Sequence, residues 1–211
     1  MSTFNDIDLE CAQCGEEFIG TVWVAIHAGQ DPKLKDLLRG GELNLVSCPE
    51  CGLAAFQERF LIYQDPAAEL VAYVYPESQR RQEPELRKLM MSGFREAQAA
   101  FPEKDRLSYD PMLFFGLAEL IELLRKEDSF AEQSQIAQVL CRQNQVDTLV
   151  LLPSQARRLH TVRVIPRLGK GKAPGRQDIL KGIDRLLELD PVLDHYVKLK
   201  ETILADPAWA L

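Results

Sequence analysis

Two short stretches constrain this chain more than anything else in it: Cys11-Ala12-Gln13-Cys14-Gly15 and Cys48-Pro49-Glu50-Cys51-Gly52. Both read Cys-x-x-Cys-Gly. Two thiolates three positions apart on a tight turn grip one ion from one side, and a second such turn closes the tetrahedron that Zn²⁺ prefers. The Gly after each pair fits the same geometry. A metal knuckle turns backbone N–H groups toward its sulfurs, and the residue after the second Cys takes a positive φ that Gly adopts without strain. The expectation is one Zn²⁺ per chain, held by Cys11, Cys14, Cys48 and Cys51. Four thiolates fill the coordination sphere and leave no position for water or substrate, so the metal is expected to hold structure rather than to catalyse.

The chain has five cysteines, and the fifth, Cys141, stands alone in a helical context. Oxidised pairing would leave one over. A redox Cys-x-x-Cys of the thioredoxin kind normally occurs once, at a helix start after a strand, so the doubled arrangement favours metal over disulfides. Cys141 reads as a small apolar core residue. Iron is the chemical rival of zinc, because rubredoxins also use two Cys-x-x-Cys-Gly knuckles. The inserted helix and the long helical half match that compact electron carrier poorly.

Strand and helix patterns surround the knuckles. Phe18 to Ile26 (FIGTVWVAI) is rich in β-branched and aromatic residues and reads as a strand. Asp31-Pro32 opens a short helix that Gly40-Gly41 stops. Glu42 to Ser47 leads into the second knuckle as another strand, and LAAFQERFLIYQ followed by Asp65-Pro66 and ELVAYVY reads as a hairpin. From Ser78 the chain turns charged and helical, with Leu86, Leu89, Met90 and Phe94 spaced as an amphipathic stripe. Asp110-Pro111 is expected to start a helix through MLFFGLAELIELLR, and Ser129 to Arg142 to form another. Val146 to Leu152 is either a helix end or a short strand, and Arg163 to Ile165 reads as extended. Asp178 to Leu189 and Asp190-Pro191 to Leu204 close the chain as two helices. The fold class is therefore α+β. An N-terminal zinc ribbon with an antiparallel sheet spans 1–76, and a mostly helical region over 77–211 either stands apart or packs on the ribbon.

Charge narrows the function. The formal net charge of −7 argues against a protein whose main business is coating nucleic acid. No apolar run approaches the ~20 residues of a membrane span, and the N-terminus lacks a secretory pattern, so a cytoplasmic protein is expected. One stretch runs against the acidic balance. Arg157, Arg158, Arg163, Arg167, Lys170, Lys172 and Arg176 fall within 155–176 without an acidic residue. Such a loop could track a phosphate backbone or dock on an acidic partner, though it lacks interleaved aromatics for stacking on bases. His27, His160 and His195 are scattered and show no metal or triad spacing, and no Walker loop, nucleophile elbow or dinucleotide fingerprint is present. The chain is expected not to be an enzyme.

Several residues together resemble the CpXC-type proteins, a prokaryotic family named for two Cys-Pro-x-Cys motifs. They are Cys11-x-x-Cys14, the helix begun by Asp31-Pro32 with Leu37-Leu38 and Gly40, Asn44 before Cys48-Pro49-Glu50-Cys51-Gly52, then Tyr63-Gln64-Asp65 and Pro76. The resemblance covers roughly the first third of the chain. Ala12 departs from it, standing where the first Pro is expected, and a thiolate site does not need that Pro. The resemblance implies metal binding and little else. The leading expectation is a non-enzymatic, metal-stabilised module that docks on another protein or a larger assembly. Its alternatives are a regulator binding nucleic acid through the ribbon or the 155–176 loop, and a rubredoxin-like iron electron carrier.

Overall fold

The computed structural model describes residues 1–169 and 175–209. It is mixed α and β, and the chain divides into two compact units, 1–124 and 125–211.

The first unit is built on a five-stranded sheet. Strands β1 (Thr3–Glu10) and β2 (Glu17–His27) form a long antiparallel hairpin, and helix α1 (Pro32–Gly40) follows. A second, separate hairpin consists of β3 (Leu45–Ser47) and β4 (Ala54–Phe56). Strands β5 (Leu61–Asp65) and β6 (Leu70–Tyr75) form a third hairpin, with β5 parallel to β2. Helix α2 (Glu83–Ala99) then carries the chain across to β7 (Met112–Phe115), which lies parallel to β6. The sheet order is β1-β2-β5-β6-β7. Central position explains composition: β6, LVAYVY, is buried almost throughout and is apolar along its whole length, as a strand covered on both faces must be. Its neighbour β5 alternates between buried and half-buried residues. Ile26, Leu38, Leu43, Leu61, Tyr63, Leu70, Val74 and Phe114 meet in the core of this unit. Leu34 and Leu38, four apart on α1, deliver that helix to it.

Four expectations change here. Asp110-Pro111 starts a strand and not a helix: MLFF pairs with Ala72 to Tyr75 of β6, and Gly116, at φ 73°, breaks the chain before helix α3 (Leu117–Gln143) begins. That helix is one continuous element of 27 residues, where two were expected, since neither Gly nor Pro interrupts it. Position 77 falls within the first unit, because β7 returns to the sheet that β6 belongs to. On α2, Leu86, Met90 and Phe94 are buried as the stripe requires, but Leu89 is 62% exposed.

Asp65 is the buried charge of the first unit, only 3% exposed. Burial opposes its ionisation, but Lys35 Nζ at 2.6 Å, the Ala68 N–H and the Tyr63 hydroxyl outweigh that cost, so its pKa lies below the ordinary value of 3.8. With the folded pKa depressed, its contribution to stability is complete above 3.8 and disappears as pH falls through that value and then through the folded pKa. Asp65→Asn is therefore expected to destabilise the first unit at pH 7 by about 1.5–3 kcal/mol, the range for hydrogen bonds to charged groups. Urea unfolding of both forms across pH checks this. The gap between them should close in acid, and comparing the two at each pH cancels protonation of the cysteines.

The second unit takes in the later turns of α3, then β8 (Asp147–Val150), α4 (Pro153–Arg158), β9 (Val164–Arg167), α5 (Arg176–Leu189) and α6 (Asp194–Ala205). β8 and β9 pair antiparallel, which settles both short apolar runs as strands. The Asp-Pro signal at 190 does not open α6; the residue preceding that helix is Leu193. The core contains Ala137, Cys141, Ile165, Ile179, Ile183, Leu186, Tyr196 and Ile203. Cys141 is fully buried there, and burial pushes its thiol up to about 11, so it is the packing residue its setting suggested. Tyr196 donates its hydroxyl hydrogen to the Val164 carbonyl at 2.8 Å. His195 packs edge-on against Phe130, with Nε2 2.8 Å from Ser129 Oγ.

Candidate metal centre

Each knuckle is the turn of a hairpin: Cys11 to Cys14 joins β1 to β2, and Cys48 to Cys51 joins β3 to β4. Their backbones match step for step. The Gly15 N–H donates to the Cys11 carbonyl at 2.8 Å and the Gly52 N–H to the Cys48 carbonyl at 3.0 Å. The Cys11 N–H donates to the Glu16 carbonyl and the Cys48 N–H to the Leu53 carbonyl, each at 2.9 Å. Gly15 at φ 74° and Gly52 at φ 72° take the left-handed conformation that the spacing called for.

The two turns bring four sulfurs together. Cys11 Sγ lies 3.5 Å from Cys51 Sγ, Cys14 Sγ lies 3.6 Å from Cys48 Sγ, and all four fall within 4.8 Å of one another. A tetrahedral ion with metal–sulfur bonds of about 2.3 Å needs sulfur–sulfur edges of about 3.8 Å, so the donor set fits such an ion without rearrangement. Cys11 and Cys48 are buried, while Cys14 and Cys51 face solvent. Backbone N–H groups of Cys14 and Gln13 point at Cys11 and bring its pKa down to about 6. The Glu16 N–H favours the Cys14 thiolate, yet the hydrogen bond with Cys11 and burial outweigh it and hold Cys14 up at about 12. The Leu53 N–H likewise favours the Cys51 thiolate and is outweighed by burial and Cys11. Cys11 is thus the readily ionised sulfur, while Cys14 and Cys51 resist taking a charge. A bound cation is what would let all four become thiolates.

Close packing between the two hairpins puts the turns side by side. A Cβ at Gly20 on β2 would lie 2.9 Å from the Val46 side chain on β3 and 2.6 Å from that of Leu9 on β1, so any larger residue there would have to push these side chains aside. Asn44, at φ 61° and buried, accepts from the Trp23 N–H at 2.7 Å and donates to the Trp23 carbonyl at 3.0 Å, anchoring the second hairpin's entry to β2. The sequence profile described as CpXC protein matches residues 9–128, more than half of the chain. The chain belongs to the CpXC family. The match runs beyond the first third, through β7 and into α3, so it takes in the whole sheet except most of β1. No curated protein and no solved structure matches the chain. As a CpXC protein with a four-cysteine cluster, it carries a module able to bind a metal ion.

The basic residues of 155–176 are mostly spent on internal bonds. Arg157 Nε donates to Glu127 at 2.5 Å, Arg163 Nε to the Leu151 carbonyl at 3.3 Å and Arg167 Nη2 to Asp147 at 2.8 Å. Arg176 Nη2 donates to the Ile203 carbonyl at 2.6 Å, at the end of α6. Arg158 is exposed, and Lys170 and Lys172 lie outside the described residues. Among the described residues the cysteines are the one cluster that could hold a metal, and no helix is long and apolar enough to cross a membrane.

Proposed function

We propose that this CpXC protein is a non-enzymatic docking module whose first unit is stapled by one Zn²⁺ on Cys11, Cys14, Cys48 and Cys51. The observation that carries this reading is the matched pair of hairpin turns, which meet through four sulfurs and through no other ligand type. Zinc with four thiolates is coordinatively saturated, so it supplies stability and not a reacting position. Function then falls to the surfaces around it. A nucleic-acid regulator finds less support, since four of the seven basic side chains it would use are already engaged within the fold.

Elemental analysis of freshly purified protein is expected to give one zinc per chain and a colourless solution. A red protein containing iron would replace zinc by the rubredoxin-like alternative, and clearly less than one metal of any kind would overturn the proposal. The docking half is tested by recovering the protein from its native host with whatever is bound to it; recovery of the bare chain alone counts against it.

A further inference from the structure

One face of the β1–β2 hairpin combines exposed apolar residues with carboxylates on an edge strand. The register sets Phe4 opposite Trp23, Asp6 opposite Thr21, Asp8 opposite Ile19 and Glu10 opposite Glu17, and strand alternation places all of them on the same side. The other side holds Leu9 and Gly20, which pack toward β3. On the outward side Ile19 is 70% exposed and Phe4 53% exposed, and the Phe4 and Trp23 rings meet edge-to-face at 5.3 Å. The two strands carry Asp6, Asp8, Glu10 and Glu17 and no Lys or Arg. β1 is also the edge of its sheet, so its outer backbone groups meet no further strand among the described residues.

We propose that this face binds an extended basic segment of another protein, added along β1 as a sixth strand, with alternate Lys or Arg side chains on Asp6 and Asp8. The inference rests on the docking reading above and gives it an address and a charge. An open edge supplies main-chain hydrogen bonds to an incoming strand, while alternate side chains set specificity. The exposed Phe4 ring suits a cationic side chain, with the half-buried Trp23 packed edge-on behind it. Carboxylates decide among the occupants. A second copy pairing edge to edge would set Asp6, Asp8 and Glu10 against their own kind, and phosphate backbones or anionic lipids are repelled in the same way. Charges on edge strands ordinarily block pairing. Here they are of one sign, so they block self-pairing and admit the opposite sign.

The test uses the full, metal-loaded chain and two fluorescein-labelled peptides about as long as β1, one alternating Lys with Val and one alternating Glu with Val. Fluorescence anisotropy is expected to show binding of the Lys peptide only, weakening with salt, and weakened about tenfold or more by Asp6→Lys with Asp8→Lys. Asp8→Asn should give a smaller loss in the same direction. An unchanged metal content shows that each variant is folded, and slowed amide exchange along β1 shows strand addition. Equal binding of both peptides, or equal binding by the charge-reversed variant, overturns the proposal. So does a dimer of the wild-type chain that the charge reversal abolishes, which would seat a second copy there. If the charge-reversed variant still retains the host proteins that the wild type retains, docking occurs through another face: this inference fails and the docking reading stands. If neither form retains any protein, the docking reading fails with it.

Discussion

Cys48→Ser is expected to cost more than 100-fold in metal affinity and to unravel the two knuckle-bearing hairpins while the core of the first unit stays folded. Loss of a group that merely orients a ligand typically costs 10–100-fold, and a ligand itself counts for more. The partial character of the unfolding follows from where the core lies. Its buried residues run from Ile26 through Leu34, Leu43 and Leu61 to Leu124, and none comes from β1, from β3 and β4, or from the first half of β2. Those hairpins bury Gly20, Val22, Cys11 and Cys48 but few large side chains, so a metal held by the four cysteines would supply what packing does not. Hydrogen exchange checks the boundary. Amides of 3–20 and 45–58 should lose protection in the variant, and those of β5 and β6 should keep theirs. Trp23 lies in the first unit and Trp209 packs on the core of the second, so their emission reports the units separately once either is replaced by Phe. Trp209 emission should be unaffected by Cys48→Ser.

The knuckles, β2, α1 and the β5–β6 hairpin were legible because each is announced locally, by ligand spacing, by period-two alternation or by a Pro-to-Gly frame. The elements that escaped depend on partners remote in sequence. β1 alternates as TFNDIDLE, yet its acidic residues resemble a solvated leader until β2 pairs with it. MLFF is too short for its periodicity to separate strand from helix, and the deciding neighbour, β6, lies some forty residues earlier. The basic stretch shows the same limit for charge. Sequence displays seven cations together, but Glu127 and Asp147, which engage Arg157 and Arg167, lie 30 and 20 residues away. For the four-cysteine cluster the reverse holds: residue type, turn conformation and the need for Gly are all local, so it could be read before the fold.

Gly182→Ala is expected to destabilise the second unit by about 1–3 kcal/mol, the range for overpacking, which for a unit of this size corresponds to a fall of several degrees in Tm. On helix propensity alone the sign would be opposite, because Ala is favoured over Gly in a helix interior by about 1 kcal/mol. Space decides the matter. A Cβ at Gly182 would sit 2.5 Å from the Arg167 nitrogen and from the Pro166 carbonyl carbon and oxygen, closer than real Cβ atoms come to anything. These are backbone atoms of β9, and they cannot rotate aside as a side-chain tip can. They are also held in register, Pro166 against Thr148 and Arg167 against Asp147 on β8. Moving α5 outward instead would open the contacts of its neighbours Ile179, Ile183 and Leu186, all buried in the same core. Gly93→Ala provides the control, since that glycine is also inside a helix but nothing lies within 4 Å of its missing Cβ. Thermal unfolding followed by Trp209 emission in a Trp23→Phe background should show Gly182→Ala melting earlier. The same melt followed by Trp23 in a Trp209→Phe background should show Gly93→Ala melting at the same temperature or later. If both substitutions stabilise, α5 does not approach β9 closely enough to need a bare backbone.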